Sequence, residues 1–263
     1  MLLAFDVGNT DIVIGVFNKE KLIFHWRLNT DINKSADEYA IVIKQLLEYS
    51  GLSNKKIDGV VIASVLSSIA NVLQDLSNRY FRAIPLIVNS NIDTGLVIWY
   101  DDTNSIEPDR IANCVAAYKI YGSPSIVIDF KTTTTICAIT SKGEFIGGCI
   151  APGIKWSLEV LCEKAAALPS IELRNPGKTI CQSTIEGMQS GLINGHIGMI
   201  YYLIHRIKKE MEILTESSEK AIVIATGEMI EEIENELDCI DFVDEHLTLK
   251  GLQIIHKRNQ MRL

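Results

Sequence analysis

The chain has 263 residues, of which 47% are apolar and 22% are charged, a composition typical of globular proteins with a substantial core. Its net charge of −8, without any basic cluster, argues against nucleic acid or an anionic membrane as a partner. A small-molecule substrate fits this balance better.

The N-terminal segment lacks the features of a secretory signal because Asp6 interrupts its apolar run. No run approaches the roughly 20 apolar residues that span a bilayer. The six cysteines form no C-x-x-C pair, and the five histidines have no metal-binding spacing. We therefore expect reduced thiols, no zinc site and a cytoplasmic protein.

The chain opens with two apolar strands joined by a polar turn, MLLAFDVGNTDIVIGVF. Asp6 comes at the end of the first strand, and Gly8-Asn9-Thr10 forms the turn. Gly8 allows close backbone approach, and the N–H groups with the Thr10 hydroxyl suit a phosphate and its metal. An ordinary β-hairpin explains the same pattern.

Strands and helices then alternate through the first half of the chain. Ser35 and Glu38 form a capping box before a helix that Gly51 ends, and a second helix begins at Ser67. Alternation predicts parallel strands and the opening hairpins predict antiparallel ones, so the sheet is expected to be mixed. The predicted strands cover residues 22–28, 60–65 and 83–88.

A long connection over residues 89–107 leads into a helix that is predicted to run to Tyr121. The residues at the start of this helix are Glu107, Pro108, Asp109 and Arg110. Pro108 suits the first helical turn, where free N–H groups favour an ionised Asp109. From these residues alone, Asp109 either complements the helix dipole or serves as a catalytic carboxylate.

The opening pattern recurs at residues 125–140, SIVIDFKTTTTICAIT. Asp129 corresponds to Asp6, and Lys131-Thr132-Thr133 corresponds to Gly8-Asn9-Thr10. A repeat of roughly 120 residues predicts two related domains that face each other across a cleft, although chance similarity of two hairpins is an alternative.

The second half has several further predicted elements. Thr184 begins a long helix with a capping box at Ser183 and Glu186, and its hydroxyl is explained equally well as a cap. This helix is apolar enough to face both a core and a partner, as an ordinary buried helix also would be. The other elements are a hairpin ending at Gly147-Gly148, a turn at 151–153, helices over 154–167, 229–237 and 247–258, a strand over 221–225 and a glycine turn at Gly227.

Two carboxylates at strand ends, two polar turns and a glycine turn suit a nucleoside triphosphate with a divalent metal. There is neither a G-x-x-x-x-G-K-[ST] loop nor a G-x-G-x-x-G fingerprint. The pattern favours the actin-like ATPase and sugar-kinase architecture, an α/β fold with two related ribonuclease H-like domains. We expect domains over 1–121 and 122–263, mixed sheets flanked by helices, and an active site in the interdomain cleft.

Seven segments in order resemble the type III pantothenate kinase family over nearly the whole chain. They are DVGNT, PDRIANCVAAY, DFKTTTT, GGCIAPG, STIEGMQSG, ATG and LTLKGL. The resemblance implies phosphorylation of pantothenate by ATP with Mg²⁺, the first step of coenzyme A synthesis. It also implies a homodimer that needs a monovalent cation such as K⁺ or NH₄⁺.

The same resemblance implies roles for individual residues. Asp109 would be the general base, Arg110 would hold the pantothenate carboxylate, and Asp129 would hold the monovalent cation. Tyr100, Glu107 and Pro108 would line the substrate pocket, and Thr184 would reach a substrate bound mainly by the other subunit. ATP would contact Asp6, Val7, Gly8, Asn9, Thr10, Asp11, Ile12, Val13, Thr132 and Gly227, with Asp6 near the Mg²⁺-bound phosphates.

Three departures from the family pattern replace glycine at implied ligand contacts. Glu107-Pro108 stands in place of Gly-Ala, Lys131 and Glu228 each replace a glycine, and Thr133 replaces an alanine. Lys131 would either add a phosphate contact or obstruct the loop, if that glycine needed positive φ. The alternatives to a pantothenate kinase are a noncatalytic binding or regulatory paralogue and a kinase for another small hydroxylated acid.

Overall fold

The computed structural model describes residues 1–52, 56–165, 167–228, 233 and 236–260. The chain divides into two compact units. The first contains Met1–Ala116 together with the segment that begins at Leu247, and the second contains Ala117–His246.

Strands and helices alternate along both units. In chain order the elements are β1 (Leu2–Val7), β2 (Asp11–Asn18), β3 (Lys21–Asn29), α1 (Ala36–Tyr49), β4 (Gly59–Ser64), α2 (Ser67–Leu76), β5 (Leu86–Ile87), β6 (Val97–Ile98), α3 (Pro108–Ala116), β7 (Ser125–Phe130), β8 (Thr133–Ile139), β9 (Glu144–Pro152), α4 (Ile154–Lys164), α5 (Thr184–Thr215), β10 (Ile222–Thr226), β11 (Phe242–Val243) and α6 (Leu247–Gln260).

The two units repeat one sheet topology. The strand order is β3-β2-β1-β4-β5 in the first unit and β9-β8-β7-β10-β11 in the second. In each unit a central strand pairs antiparallel with the strand that follows it and parallel with a strand that comes after a helix. Asp6 and Asp129 are both the fifth residue of that six-residue central strand. The repeat predicted from two hairpins therefore extends across both sheets, and the mixed sheets flanked by helices are confirmed.

Local signals in the first half place most elements correctly. The Ser35–Glu38 capping box is present at the start of α1, where the Ser35 hydroxyl accepts a hydrogen bond from the Glu38 N–H. The strand predicted over 83–88 was too long, because Arg82 is left-handed and Pro85 has no N–H to donate to a ladder. The helix predicted to reach Tyr121 ends as an α-helix at Ala116 and continues as a wider π-helical turn.

Helix α6 belongs with the first unit, whereas the sequence division at residues 121 and 122 grouped it with the second half. It packs against α3 so closely that a Cβ atom added to Gly251 would lie 1.9 Å from the Ala112 carbonyl oxygen. The Thr248 hydroxyl also donates to the side-chain oxygen of Asn113 at 2.8 Å. Contacts distant in sequence decide this grouping, so chain order could not predict it.

The second unit departs from expectation at its hairpin glycines. Gly147 and Gly148 lie inside β9 rather than at its end, next to a register shift in β8. A Cβ atom at Gly148 would lie 1.8 Å from the carbonyl oxygen of Ile136, so these glycines allow two backbones to approach closely.

Other differences in this unit concern helix and strand limits. Helix α4 ends at Lys164 instead of 167, and β11 was not predicted. Most of the helix predicted over 229–237 lies outside the described residues. In the part of the chain that the structure describes, no helix is long and apolar enough to cross a membrane.

Candidate active site

The predicted first phosphate turn joins β1 to β2 and is held by its own backbone and by Thr30, the residue after β3. The Gly8 N–H donates to the Asp11 carbonyl at 2.8 Å, and the Thr30 hydroxyl donates to the Gly8 carbonyl at 2.9 Å. The Asp6 side chain is buried at 4% exposure, whereas the side chains of Asn9 and Thr10 are exposed. The turn therefore presents polar groups to solvent directly after a buried carboxylate.

Not every residue of the predicted phosphate segment presents its side chain to a ligand. Val7 and Ile12 are each 1% exposed and pair with each other in the β1–β2 ladder, so their side chains face the core. Val13 and Asp11 are half-buried, and Asp11 pairs with Arg27 at 3.4 Å. Position in the strand explains the difference, since alternate residues face opposite sides of the sheet.

The start of α3 brings three predicted substrate residues together within the first unit. Arg110 is only 2% exposed, and its guanidinium carbon lies 6.0 Å from the centroid of the Tyr100 ring. An Asp109 carboxylate oxygen accepts a hydrogen bond from the Arg110 N–H at 2.8 Å. The buried cation and the adjacent carboxylate suit a substrate that carries both an anionic group and a hydroxyl group.

Glu107 and Pro108 support this helix start through the backbone. The Glu107 carbonyl accepts from the N–H groups of Arg110 at 3.1 Å and Ile111 at 3.4 Å, and Pro108 is the first helical residue. Both side chains are half-buried. The replacement of the family's Gly-Ala thus keeps the helix start and adds a half-buried carboxyl group three residues before Arg110.

The second phosphate loop joins β7 to β8 in the second unit. The Lys131 N–H donates to the Thr133 carbonyl at 3.1 Å, and the Lys131 ammonium lies 3.2 Å from a carboxylate oxygen of Asp129. Among the described residues, positive φ at non-glycine positions occurs only at Lys19, Arg82 and Glu216. Lys131 therefore does not strain the loop, and its side chain turns back toward Asp129.

Two glycines let neighbouring backbone pack closely against this loop and the end of β7. A Cβ atom at Gly153 would lie 2.3 Å from the Lys131 carbonyl oxygen and 2.5 Å from that of Thr132. A Cβ atom at Gly227 would lie 2.4 Å from the Phe130 carbonyl oxygen. Strand pairing explains the second contact, because Thr226 lies beside Asp129 in the parallel β7–β10 ladder. The predicted adenosine turn and the second phosphate loop are thus neighbours in one sheet.

Gly153 and His196 are site-adjacent residues that sequence reasoning missed. Gly153 was interpreted as part of a turn and of the family-like segment GGCIAPG, with no role of its own, and all five histidines were interpreted as structural or surface residues. His196 lies on α5 at 7% exposure, with Nε2 3.2 Å from the Thr134 hydroxyl and its ring 6.1 Å from that of Phe130. Burial lowers the pKa of His196. The apolar neighbours of His196 along the helix gave no local signal for this contact.

Thr184 lies on a different element from the other predicted residues of the second unit. It is exposed and is the first residue of α5, where the Ser183 hydroxyl accepts from the Glu186 N–H at 3.3 Å. Within the described residues there is no group of three His, Cys, Asp or Glu side chains that could hold a metal ion.

Solved structures share the fold over almost the whole chain. A Campylobacter jejuni protein assigned to the Baf family of transcriptional activators matches at TM-score 0.61 and 20% identity, covering 98% of this chain and 99% of that one. MreB 5 of Spiroplasma citri, solved with AMPPNP, matches at 0.54 and 9%, covering 99% and 97%. The Listeria monocytogenes protein Lmo2764, assigned as an N-acetylmannosamine kinase, matches at 0.51 and 12%, covering 98% and 99%.

These structural similarities confirm the predicted actin-like and sugar-kinase fold. At such low identities they do not identify a substrate. The model of one family is more specific, and its description is type III pantothenate kinase. It matches residues 2–206, which include both phosphate loops, the start of α3 and Thr184. The chain therefore belongs to the type III pantothenate kinase family.

Proposed function

We propose that this protein transfers the γ-phosphoryl group of ATP to the hydroxyl of pantothenate, giving 4'-phosphopantothenate for coenzyme A synthesis. The observation that carries the proposal is the family match over residues 2–206. The two strand-end carboxylates in repeated positions, Asp6 and Asp129, support a nucleotide as the phosphoryl donor.

Asp109 is the proposed general base. Its carboxylate accepts a hydrogen bond from the Arg110 N–H at the start of α3, which fixes one oxygen. Phosphoryl transfer through a loose transition state needs little activation of the nucleophile, so an ordinary carboxylate suffices. The proton of the pantothenate hydroxyl passes to this carboxylate as the new P–O bond forms and the bond to ADP breaks.

Arg110 is the proposed holder of the pantothenate carboxylate, with Tyr100 beside it. A guanidinium binds a carboxylate through two parallel hydrogen bonds, and burial strengthens that charged interaction. The Tyr100 ring near the guanidinium supports its orientation.

ATP is assigned to the two phosphate loops and to the turn at Gly227. Asp6, Asn9, Thr10 and Thr132 supply polar groups, and the turn that carries Gly227, packed against the Phe130 backbone, is assigned to adenosine. Mg²⁺ favours carboxylate and phosphate oxygens, so Asp6 fits a metal held mainly by ATP. Bound Mg²⁺ would neutralise phosphate charge.

A homodimer through α5 is part of the proposal. Gly187, Gly191, Gly195 and Gly198 share one face of this helix, and each is exposed, with no described atom beyond the neighbouring helix backbone within 4 Å of an added Cβ. Each glycine lowers helix stability by about 1 kcal/mol relative to alanine. Close approach of a second copy of α5 explains why small residues occupy this face, and Thr184 stands at its beginning.

A noncatalytic binding protein is the second candidate, favoured by the half-buried Glu107 three residues before Arg110. A carboxylate there repels an anionic substrate. The Campylobacter jejuni protein of similar fold is described as a transcriptional activator. The net charge of −8 opposes direct contact with DNA, so a regulator of this kind would act through a protein partner.

One assay separates these functions. The purified protein is incubated with ATP, Mg²⁺, KCl and pantothenate, ADP release is followed by a coupled reaction, and 4'-phosphopantothenate is identified by mass spectrometry. ADP release with that product supports the pantothenate kinase. Turnover only with another hydroxylated acid would change the substrate, and no turnover with any acceptor would favour the binding protein.

A further inference from the structure

The ion pair between Lys131 and Asp129 joins two residues of the second phosphate loop region. The Lys131 ammonium lies 3.2 Å from an Asp129 carboxylate oxygen, and the side chains are 26% and 4% exposed, respectively. The carboxylate is therefore almost entirely removed from water, whereas the ammonium remains partly hydrated. A buried carboxylate needs a compensating positive charge, and here the same loop supplies it.

This arrangement does not fit the free monovalent cation that the family pattern assigns to Asp129. One carboxylate oxygen is already in contact with a full positive charge. A potassium ion bound to the same carboxylate would stand within a few ångströms of the ammonium, and the two cations would repel each other across a carboxylate that is almost entirely buried. The family pattern has a glycine at position 131, and a glycine carries no such charge.

The loop accommodates the lysine without distortion. Lys131 is not among the residues with positive φ, and its N–H makes a regular 3.1 Å hydrogen bond to the Thr133 carbonyl. The backbone at this position therefore accepts a side chain. Gly153 and Gly227 approach the backbone of residues 130–132, so neither contact needs the Lys131 side chain to be absent.

We propose that the Lys131 ammonium replaces the monovalent cation at Asp129, so that the activity of this protein is independent of K⁺ and NH₄⁺. The inference rests on the proposed kinase function. A lysine ammonium has the charge and the N–H donors of an ammonium ion. Because it is tethered two residues from Asp129, its effective concentration is on the order of millimolar or higher without any ion in solution.

The test compares the wild-type protein with Lys131→Gly and Lys131→Ala in KCl, NH₄Cl and choline chloride at equal ionic strength. Lys142→Gly is the matched control, because Lys142 is an exposed lysine in a turn of the same unit. We expect wild type and control to phosphorylate pantothenate at rates that differ less than about twofold among the salts. Both Lys131 variants should lose on the order of tenfold or more in choline chloride and recover in KCl or NH₄Cl.

A second readout needs no turnover. Calorimetric titration with KCl and the shift of Tm between KCl and choline chloride report cation binding directly. We expect neither saturable K⁺ binding nor a K⁺-specific Tm shift in the wild type. Lys131→Gly should show saturable K⁺ binding and a higher Tm in KCl than in choline chloride. Because the second variant, Lys131→Ala, removes the same charge, a folding defect in one variant leaves the comparison intact.

The outcomes separate this inference from the proposed function. Activation of the wild type by K⁺, or K⁺-independent activity of both Lys131 variants, would overturn the inference while leaving the kinase intact. If neither the wild type nor any variant phosphorylates an acceptor, the kinase proposal fails. The K⁺-binding measurements then test by themselves whether the Lys131 ammonium replaces the cation at Asp129. Saturable K⁺ binding by the wild type, or no K⁺ binding by either Lys131 variant, would overturn the replacement of the cation by Lys131.

Discussion

A Cβ atom added to Gly227 would lie 2.4 Å from the carbonyl oxygen of Phe130, at the place where β10 and β7 end side by side. The φ angle of Gly227 is +100°, which side chains rarely adopt. The proposed adenosine turn is therefore pressed against the strand that carries Asp129. Only glycine satisfies both the backbone angle and the contact.

We expect Gly227→Ala to destabilise the protein more than a change in φ alone would. A left-handed angle costs an L-residue about 1–2 kcal/mol, and forced overpacking adds about 1–3 kcal/mol. Gly177→Ala is the control, since Gly177 has φ +67° and open space around an added Cβ. Urea unfolding measures both variants. Equal losses for the two would mean that the Phe130 backbone contributes nothing to the effect.

Asp109→Asn should abolish most catalysis while leaving the fold intact. The amide keeps an oxygen that can accept the Arg110 N–H but cannot take up a proton, so we expect the rate to fall by about 100-fold to about 10,000-fold. The control is Asp101→Asn, which alters an exposed carboxyl group in the preceding connection. Steady-state phosphorylation assays and thermal unfolding compare the two. An unchanged rate for Asp109→Asn would remove Asp109 as the base.

Gly195→Leu on α5 should weaken the proposed dimer without unfolding the subunit. No described atom lies within 4 Å of the added Cβ, and leucine favours helix more than glycine does. We expect sedimentation equilibrium to show a larger fraction of monomer than in the wild type. Lys155→Leu, which adds an equal apolar group to the exposed side of α4, should leave the distribution unchanged. A wild-type protein that is monomeric at all concentrations would contradict the prediction.

One buried histidine, His196, and one half-buried histidine, His256, should make the fold sensitive to mild acid. Burial lowers the pKa of His196 and His256 from the ordinary value of 6.5, and for His256 the Asp58 carboxylate partly opposes this effect. Because the unfolded chain binds protons first, their contribution to stability is complete above about pH 6.5 and is lost as the pH falls toward the folded-state pKa values.

The measurement is the free energy of unfolding in urea between about pH 7.5 and about pH 5, where each such histidine contributes a slope of at most about 1.4 kcal/mol per pH unit. The double variant that combines His196→Asn and His256→Asn should lose less free energy of unfolding per pH unit than the wild type. The matched control, His205→Asn, replaces an exposed histidine on α5 and should retain the wild-type slope. Parallel profiles for all three proteins would refute the assignment.

Much of this protein can be predicted from local sequence. The Asp6 and Asp129 hairpins, the capped start of α1 at Ser35 and the start of α3 at Pro108 all follow from patterns within a few residues. Such features depend on short-range sterics and hydrogen bonds, which neighbouring residues determine. The order of family-like segments also identified the family before any contact was known.

The tertiary structure decided the relations between distant segments. It showed that both units share one strand order, that α6 joins α3 rather than the second half, and that Gly153 and Gly227 enclose the second phosphate loop. From the sequence, Lys131 could equally have contacted phosphate or blocked its loop. The structure places its ammonium on the Asp129 carboxylate, because a buried charge is compensated by whichever opposite charge the folded chain brings within reach, and no local pattern specifies that partner.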